Sequence, residues 1–360
     1  MKKLNSILTQ AGKPALPHTF SDGSRLLLQP SAGRLLGLFP AQSDTNFFWT
    51  NPAFSSIEAA RSYFSHDGWK NIGGDRTWLA PEIELFVGDL TRPFATYAIP
   101  PALDPGNWTL SSGTDPELSL TNATRLQLHR SGGEINVRIS KRYRPAFNPI
   151  SGMDESLQYA GYTQITTVEL EQDAARTLSL GIWNLIQLPQ PGVMLIPTHN
   201  KAQPQVVFGA PADTDLKVTP NLVQWNMAHG DKNAKISLKA SALTGRAGYL
   251  HQTQAAGIWD LVVREFEVDP HGDYVDGLFE PPHETGWAFQ ACYVRLGDEC
   301  FNELEYHSPA VTTGAGLNTR NDESRVWAFR GTGAAITKVA QTLLGTGPGL
   351  LEIATPKNAV

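Results

Sequence analysis

At 360 residues, 41% of them hydrophobic and 18% charged, the chain is long enough to bury a large core and too apolar for disorder. A formal net charge of -6, with basic residues scattered singly, offers no footprint for a phosphate backbone, so nucleic acid is not an expected partner. No stretch approaches the roughly 18 apolar residues of a membrane-spanning helix. The chain opens on Lys2 and Lys3 but has neither an h-region nor a small-residue cleavage site, which reads as a cytoplasmic protein without a membrane partner.

Along the chain, the first strands are predicted in LLLQPSAGRLLGLFP. A helix follows over NPAFSSIEAARSYF, Asn51 to Phe64, with Ser55 as its candidate cap. Next comes KNIGGDRTWLAPEIELFVGD, where Gly73 and Gly74 permit a sharp turn and close backbone approach. Asp75 could orient the Arg76 guanidinium toward ligand oxygens, and Trp78 could offer a flat face to a sugar ring. The same residues could equally be a buried Asp–Arg brace around a core indole. The triplets at Asn107 and Asn122 match the glycosylation pattern, which has meaning only in a eukaryotic secretory context.

The middle of the chain reads as short alternating strands, among them TRLQLHR, GEINVRISKRYRP, YTQITTVELEQ and AKISLKA, bounded by Gly, Pro, Asn or Asp. Within LGIWNLIQLPQPGVMLIPTHN, Trp183, Asn184 and Gln187 combine an indole with amides suited to neutral hydroxyls, and His199 ends a strand. In GLFEPPHETGWAFQ, His283 and Glu284 occupy a Pro-rich loop. Cys292 and Cys300 flank a predicted hairpin turning at Gly297-Asp298, which places Cys292 opposite Glu303 and Cys300 opposite Arg295 and makes a disulfide improbable.

In NELEYHSPA, strand alternation sends Glu303, Glu305 and His307 to one face and Leu304 and Tyr306 to the other. That charged face is either solvent or a polar cleft. In a cleft, neighbouring desolvated carboxylates have the raised pKa that suits acid–base work. His283 with Glu284, or with Glu303 and Glu305, lacks any recognised ligand spacing, so no metal is expected. The P-loop, the dinucleotide fingerprint and the G-x-S-x-G elbow are all absent, and no cofactor is expected. A last helix is predicted in AAITKVAQTLLG. So many strands without intervening helices predict an all-β fold, a large antiparallel β-sandwich with one or two short helices, as a single domain over residues 1–360.

The early strand pair, the corner GGDRTWLAPE, the strand LGIWNLIQLP next to IPT, and NELEYHSPA followed by SRVWAFRG together resemble the galactose-mutarotase-like superfamily over about residues 20–345. The resemblance implies a supersandwich with a carbohydrate cleft. Arg76 would bind sugar hydroxyls, Glu303 or Glu305 would act as base, and histidines would serve as acid and binder. The strand that would carry a catalytic histidine reads IWNLIQLP here, which leaves His199 or His283 as a relocated acid. The implied partner is a small-molecule or oligosaccharide carbohydrate. The implied activity is that of an aldose 1-epimerase, of another carbohydrate enzyme such as a lyase or hydrolase, or sugar binding without chemistry.

Overall fold

The structure, a computed structural model, describes residues 1–111, 117–152, 154–171, 177–227, 232–277, 286–313, 318–347 and 349–351. Two ten-stranded sheets, with antiparallel pairings throughout, dominate it. The first runs in the order Leu16–Thr19, Arg25–Gln29, Arg34–Phe39, Asp75–Ala80, Ser179–Pro189, Glu299–His307, Phe289–Leu296, Ala234–Leu238 and Gln205–Phe208, with Val311–Thr312 on one end of Ser179–Pro189. It is called the site sheet below. The second, the backing sheet, is centred on Ile258–Phe266, Thr319–Thr332, Gln158–Leu170 and Glu134–Pro145. The all-β sandwich expected from the strand spacing is therefore the observed architecture.

The sheets meet through apolar side chains such as Leu185's neighbour Ile186, Leu304, Phe289 and Tyr306 from the site sheet and Tyr162, Val262 and Ala328 from the backing sheet, all buried. Polar groups enter this layer in hydrogen-bonded clusters, as a low-dielectric interior favours. The Arg264 guanidinium lies 3.2 Å from Asp75, whose other oxygen accepts from Tyr162 at 2.5 Å. Asn184 bonds to Thr77, Tyr306 and Gln164.

Gly73 and Gly74 both hold positive φ, at 91° and 77°. A Cβ on Gly74 would lie 2.2 Å from the Leu35 carbonyl oxygen, and one on Gly73 would lie 2.4 Å from that of Trp49. The close approach predicted there is thus to backbone, and it locks the start of the Asp75–Ala80 strand between its neighbours.

Helices are few. The segment expected as one helix divides into a short 3-10 turn, Pro52–Ser55, and the α-helix Ile57–Ser65. Ser56, rather than Ser55, is the cap, its Oγ accepting from Ala59 N at 3.1 Å. Gly333–Leu344 forms as predicted and packs Ile336, Val339 and Ala340 on the outer face of the backing sheet. Two α-helices were not anticipated among the described residues, Lys2–Gln10 and the single turn Glu82–Leu85. The first buries Ile7 and Leu8 against Leu36, Phe54 and Ile72. Among the described residues no helix is long and apolar enough to cross a membrane. Asn122, one of the two glycosylation-pattern asparagines, is buried and uses its amide to bond Asn107 N and the Ala102 carbonyl.

Candidate functional site

The site is written in the register of five strands. Arg76 stands opposite Leu185, and Leu185 opposite Glu305; Trp78 stands opposite Trp183, and Trp183 opposite His307. One row further, Gln187 faces Glu303, Glu303 faces Cys292, and Cys292 faces Lys235. Side chains two apart on a strand share a face, so these rows all project from the side of the site sheet that points away from the backing sheet. Long side chains then link diagonal neighbours.

Two ion pairs result. Arg76 Nη2 donates to Glu303 Oε1 at 2.9 Å, and Gln187 Nε2 donates to the same oxygen at 3.0 Å. Lys235 Nζ lies 3.0 Å from Glu305 Oε2, which also accepts from Trp183 Nε1 at 2.9 Å. Aromatic rings hold both cations from the other side. The Arg76 guanidinium sits 4.1 Å from the Trp78 ring centroid and 5.7 Å from that of Trp69, and Lys235 Nζ lies 4.9 Å from the Trp183 ring. Trp78 is itself fixed by its indole N–H, which donates to Asp104 at 2.9 Å.

These groups border a cavity of about 730 Å³, within the usual range for small-molecule sites. Arg76, Trp78, Trp183, Glu303, Lys235 and Cys292 form its floor, and Trp69, Glu82, Tyr97 and the Val206–Phe208 segment contribute walls. Arg76 Nε and Nη1 are buried without a hydrogen-bond partner, packed against the Trp69 and Trp78 rings. Tyr97 donates its hydroxyl proton to Glu82, and burial followed by the Glu82 charge pushes its pKa well above the usual phenol value.

Burial raises the Glu305 carboxyl to about 7, against the opposing pull of Lys235. Its Oε1 is buried without a hydrogen-bond partner. Burial opposes the charge on Lys235, but the carboxylates of Glu305, Glu82 and Asp276 outweigh it and raise the ammonium pKa. Asp276 is likewise raised to about 7, by burial and then by Glu82. Burial, and then Lys235, depress His307 well below the usual imidazole value, so the ring is neutral. His307 stacks under Trp183 with ring centroids 5.4 Å apart, its Nε2 3.0 Å from Gln290 Oε1.

Cys292, Glu303 and Glu305 bring a thiol and two carboxylates within 4.8 Å of one another, all buried. The set is a poor match for a divalent ion, because Arg76 and Lys235 already neutralise the two carboxylates. Burial, then Glu303 and Glu305, push the thiol pKa well up, away from the thiolate a metal needs.

The sequence-predicted residues divide by face. Arg76, Trp78, Trp183 and Glu303 line the cavity, with Gln187, Glu305 and His307 packed directly behind them. Asp75 and Asn184 do not belong to the site: each precedes or follows a site residue by one position and so faces the backing sheet, where Asp75 serves Arg264 instead of Arg76. One face of Trp78 is covered by Arg76 rather than offered to a sugar. His199 lies elsewhere, in a surface depression with Lys201, Lys239 and Trp287. His283 and Glu284 fall outside the described residues. Trp69, Glu82, Tyr97, Lys235 and Cys292 were not anticipated as site residues. Lys235, in AKISLKA, shows only strand alternation, and no local signal marks its face as a cavity floor.

No family model and no curated protein matches the sequence. Solved structures do. The chain is similar to an aldose epimerase homologue from C. elegans (9% identity, 88% of this chain and 99% of that chain covered, TM-score 0.45). It is also similar to a galactose mutarotase-like protein from Lactobacillus casei (9% identity, 87% and 99% covered, TM-score 0.44) and to galactose 1-epimerase from Lactobacillus acidophilus (8% identity, 88% and 93% covered, TM-score 0.41). Aldose epimerase and galactose mutarotase-like proteins are thus among the solved structures to which this chain is similar.

Proposed function

We propose that the protein binds a carbohydrate in the 730 Å³ cavity and moves protons on it in the manner of an aldose 1-epimerase, with Glu303 as the base. The observation that carries this reading is the Arg76–Glu303 pair on the cavity floor among the indoles of Trp69, Trp78 and Trp183. Aromatic side chains beside a charged, hydrogen-bonding pair supply both the apolar and the polar contacts that a sugar offers. Glu303 is preferred to Glu305 because it lines the cavity at 7% exposure, whereas Glu305 is at 0% and spends one oxygen on Lys235 and Trp183. In this reading Glu303 takes the anomeric hydroxyl proton while a donor on the opposite wall protonates the ring oxygen; the ring opens, the carbonyl turns, and reclosure gives the other anomer.

A second reading, carbohydrate binding without turnover, has its own support. Among the described residues no histidine lines the cavity. The protonated donors among those that do, Lys235, Tyr97 and Cys292, have raised pKa values and give up protons reluctantly. Polarimetry on freshly dissolved α-D-glucose and α-D-galactose, run beside calorimetric titration, separates the two. Accelerated anomer exchange that falls by about 100-fold in Glu303→Gln supports the epimerase reading. Binding without acceleration selects the second reading, and the absence of binding sinks both.

A further inference from the structure

The floor of the cavity is charged, but its mouth is apolar. Among the described residues seven large hydrophobic side chains are well exposed, and three of them, Phe94 at 75%, Val206 at 43% and Phe208 at 37%, stand on this one rim. Scattered exposed apolar residues need no explanation, whereas a cluster at a ligand cavity does. Pro93 and Ile99 extend the same surface inward. Phe208 is set there by register, since it pairs with Lys235 across a shift between Val206 and Phe208 and so stands over the charged floor. A single unsubstituted sugar ring is hydrophilic around its edge and does not match this apolar rim.

Resting on the carbohydrate reading above, we infer that the ligand is a reducing sugar bearing an apolar acyl or aryl group away from its anomeric carbon. The anomeric end lies on the Arg76–Glu303 floor and the apolar group lies against Phe94, Val206 and Phe208. The group cannot sit on the anomeric oxygen, because ring opening needs that hydroxyl free.

The test is titration, by the fluorescence of the cavity tryptophans and by calorimetry, with D-glucose, D-galactose, their 6-O-benzoyl esters and methyl benzoate. The esters are expected to bind roughly tenfold or more tighter than the parent sugars, the effect of burying an aromatic group. Phe94→Ala and Phe208→Ala should each shrink that ratio, and their exposure makes folding a minor concern. Equal affinity for sugar and ester, or a ratio untouched by both variants, overturns the inference and leaves the carbohydrate reading standing. Methyl benzoate binding as tightly as the esters while the free sugars do not bind, or no binding of any probe, overturns the carbohydrate reading and the inference with it.

Discussion

The guanidinium of Arg76 meets the carboxylate of Glu303 at 2.9 Å although 227 positions separate them in the chain. Both side chains are largely buried, so removing either leaves an uncompensated charge beside a cavity. Arg76→Met and Glu303→Gln should each lower stability by about 2–4 kcal/mol, and the double variant should lose clearly less than the sum. Chemical denaturation of the four proteins measures the coupling. Strict additivity would mean that the pair contributes nothing as a pair.

Glu305 and Asp276 give the fold a pH dependence of definite sign. Burial raises each carboxyl to about 7, from ordinary values of 4.5 and 3.8. Between those ordinary values and pH 7 the native state therefore holds protons that the unfolded chain has released, and stability falls as pH rises through that window. The stabilisation is complete below about pH 4 and lost above pH 7, on the order of 3 kcal/mol for Glu305 alone. Glu305→Gln, which is neutral at every pH, should flatten this part of the curve. A Tm profile of the same slope in that variant would reject the assignment.

Metal ions test the Cys292, Glu303 and Glu305 cluster directly. Because Arg76 and Lys235 occupy the charge of both carboxylates, a strong chelator should leave Tm unchanged, and added zinc should not raise it. A rise of several degrees with zinc that disappears in Cys292→Ser would establish a metal centre.

How much of this was legible in the sequence depended on the range of the interaction. Period-2 alternation placed Glu303, Glu305 and His307 on one face, and the two-residue turn at Gly297-Asp298 put Cys292 against Glu303, because both are local rules. That same alternation separates Asp75 from Arg76: Asp75 already lies in the strand, where adjacent side chains diverge, and it pairs with Arg264 instead. Nothing local reports that Ala234–Leu238 and Asp75–Ala80 end up in one sheet, so Lys235 could not be joined to Trp183 and Glu305 beforehand. Trp69 and Tyr97 come from connecting segments whose course only the folded chain defines.

The adjacent residues Asp75 and Arg76 provide the sharpest test of the division between architecture and site. Asp75 is fully buried between the sheets, where it holds Arg264, itself fully buried, and accepts from Tyr162. Asp75→Asn keeps the shape but leaves the Arg264 charge without its counterion, and should cost about 3–5 kcal/mol of stability while ligand affinity stays as it was. Arg76→Lys acts on the opposite face. The ammonium can still approach Glu303, but it forfeits the planar fork and the stacking on Trp78. Sugar affinity should then fall by about 1.5–3 kcal/mol, with a smaller loss of stability than in Asp75→Asn. Denaturation and titration on both variants give four numbers that must cross in this pattern. If Asp75→Asn weakens the ligand and spares the fold, or Arg76→Lys spares the ligand and unfolds the protein, then the two faces of this strand have been assigned the wrong way round.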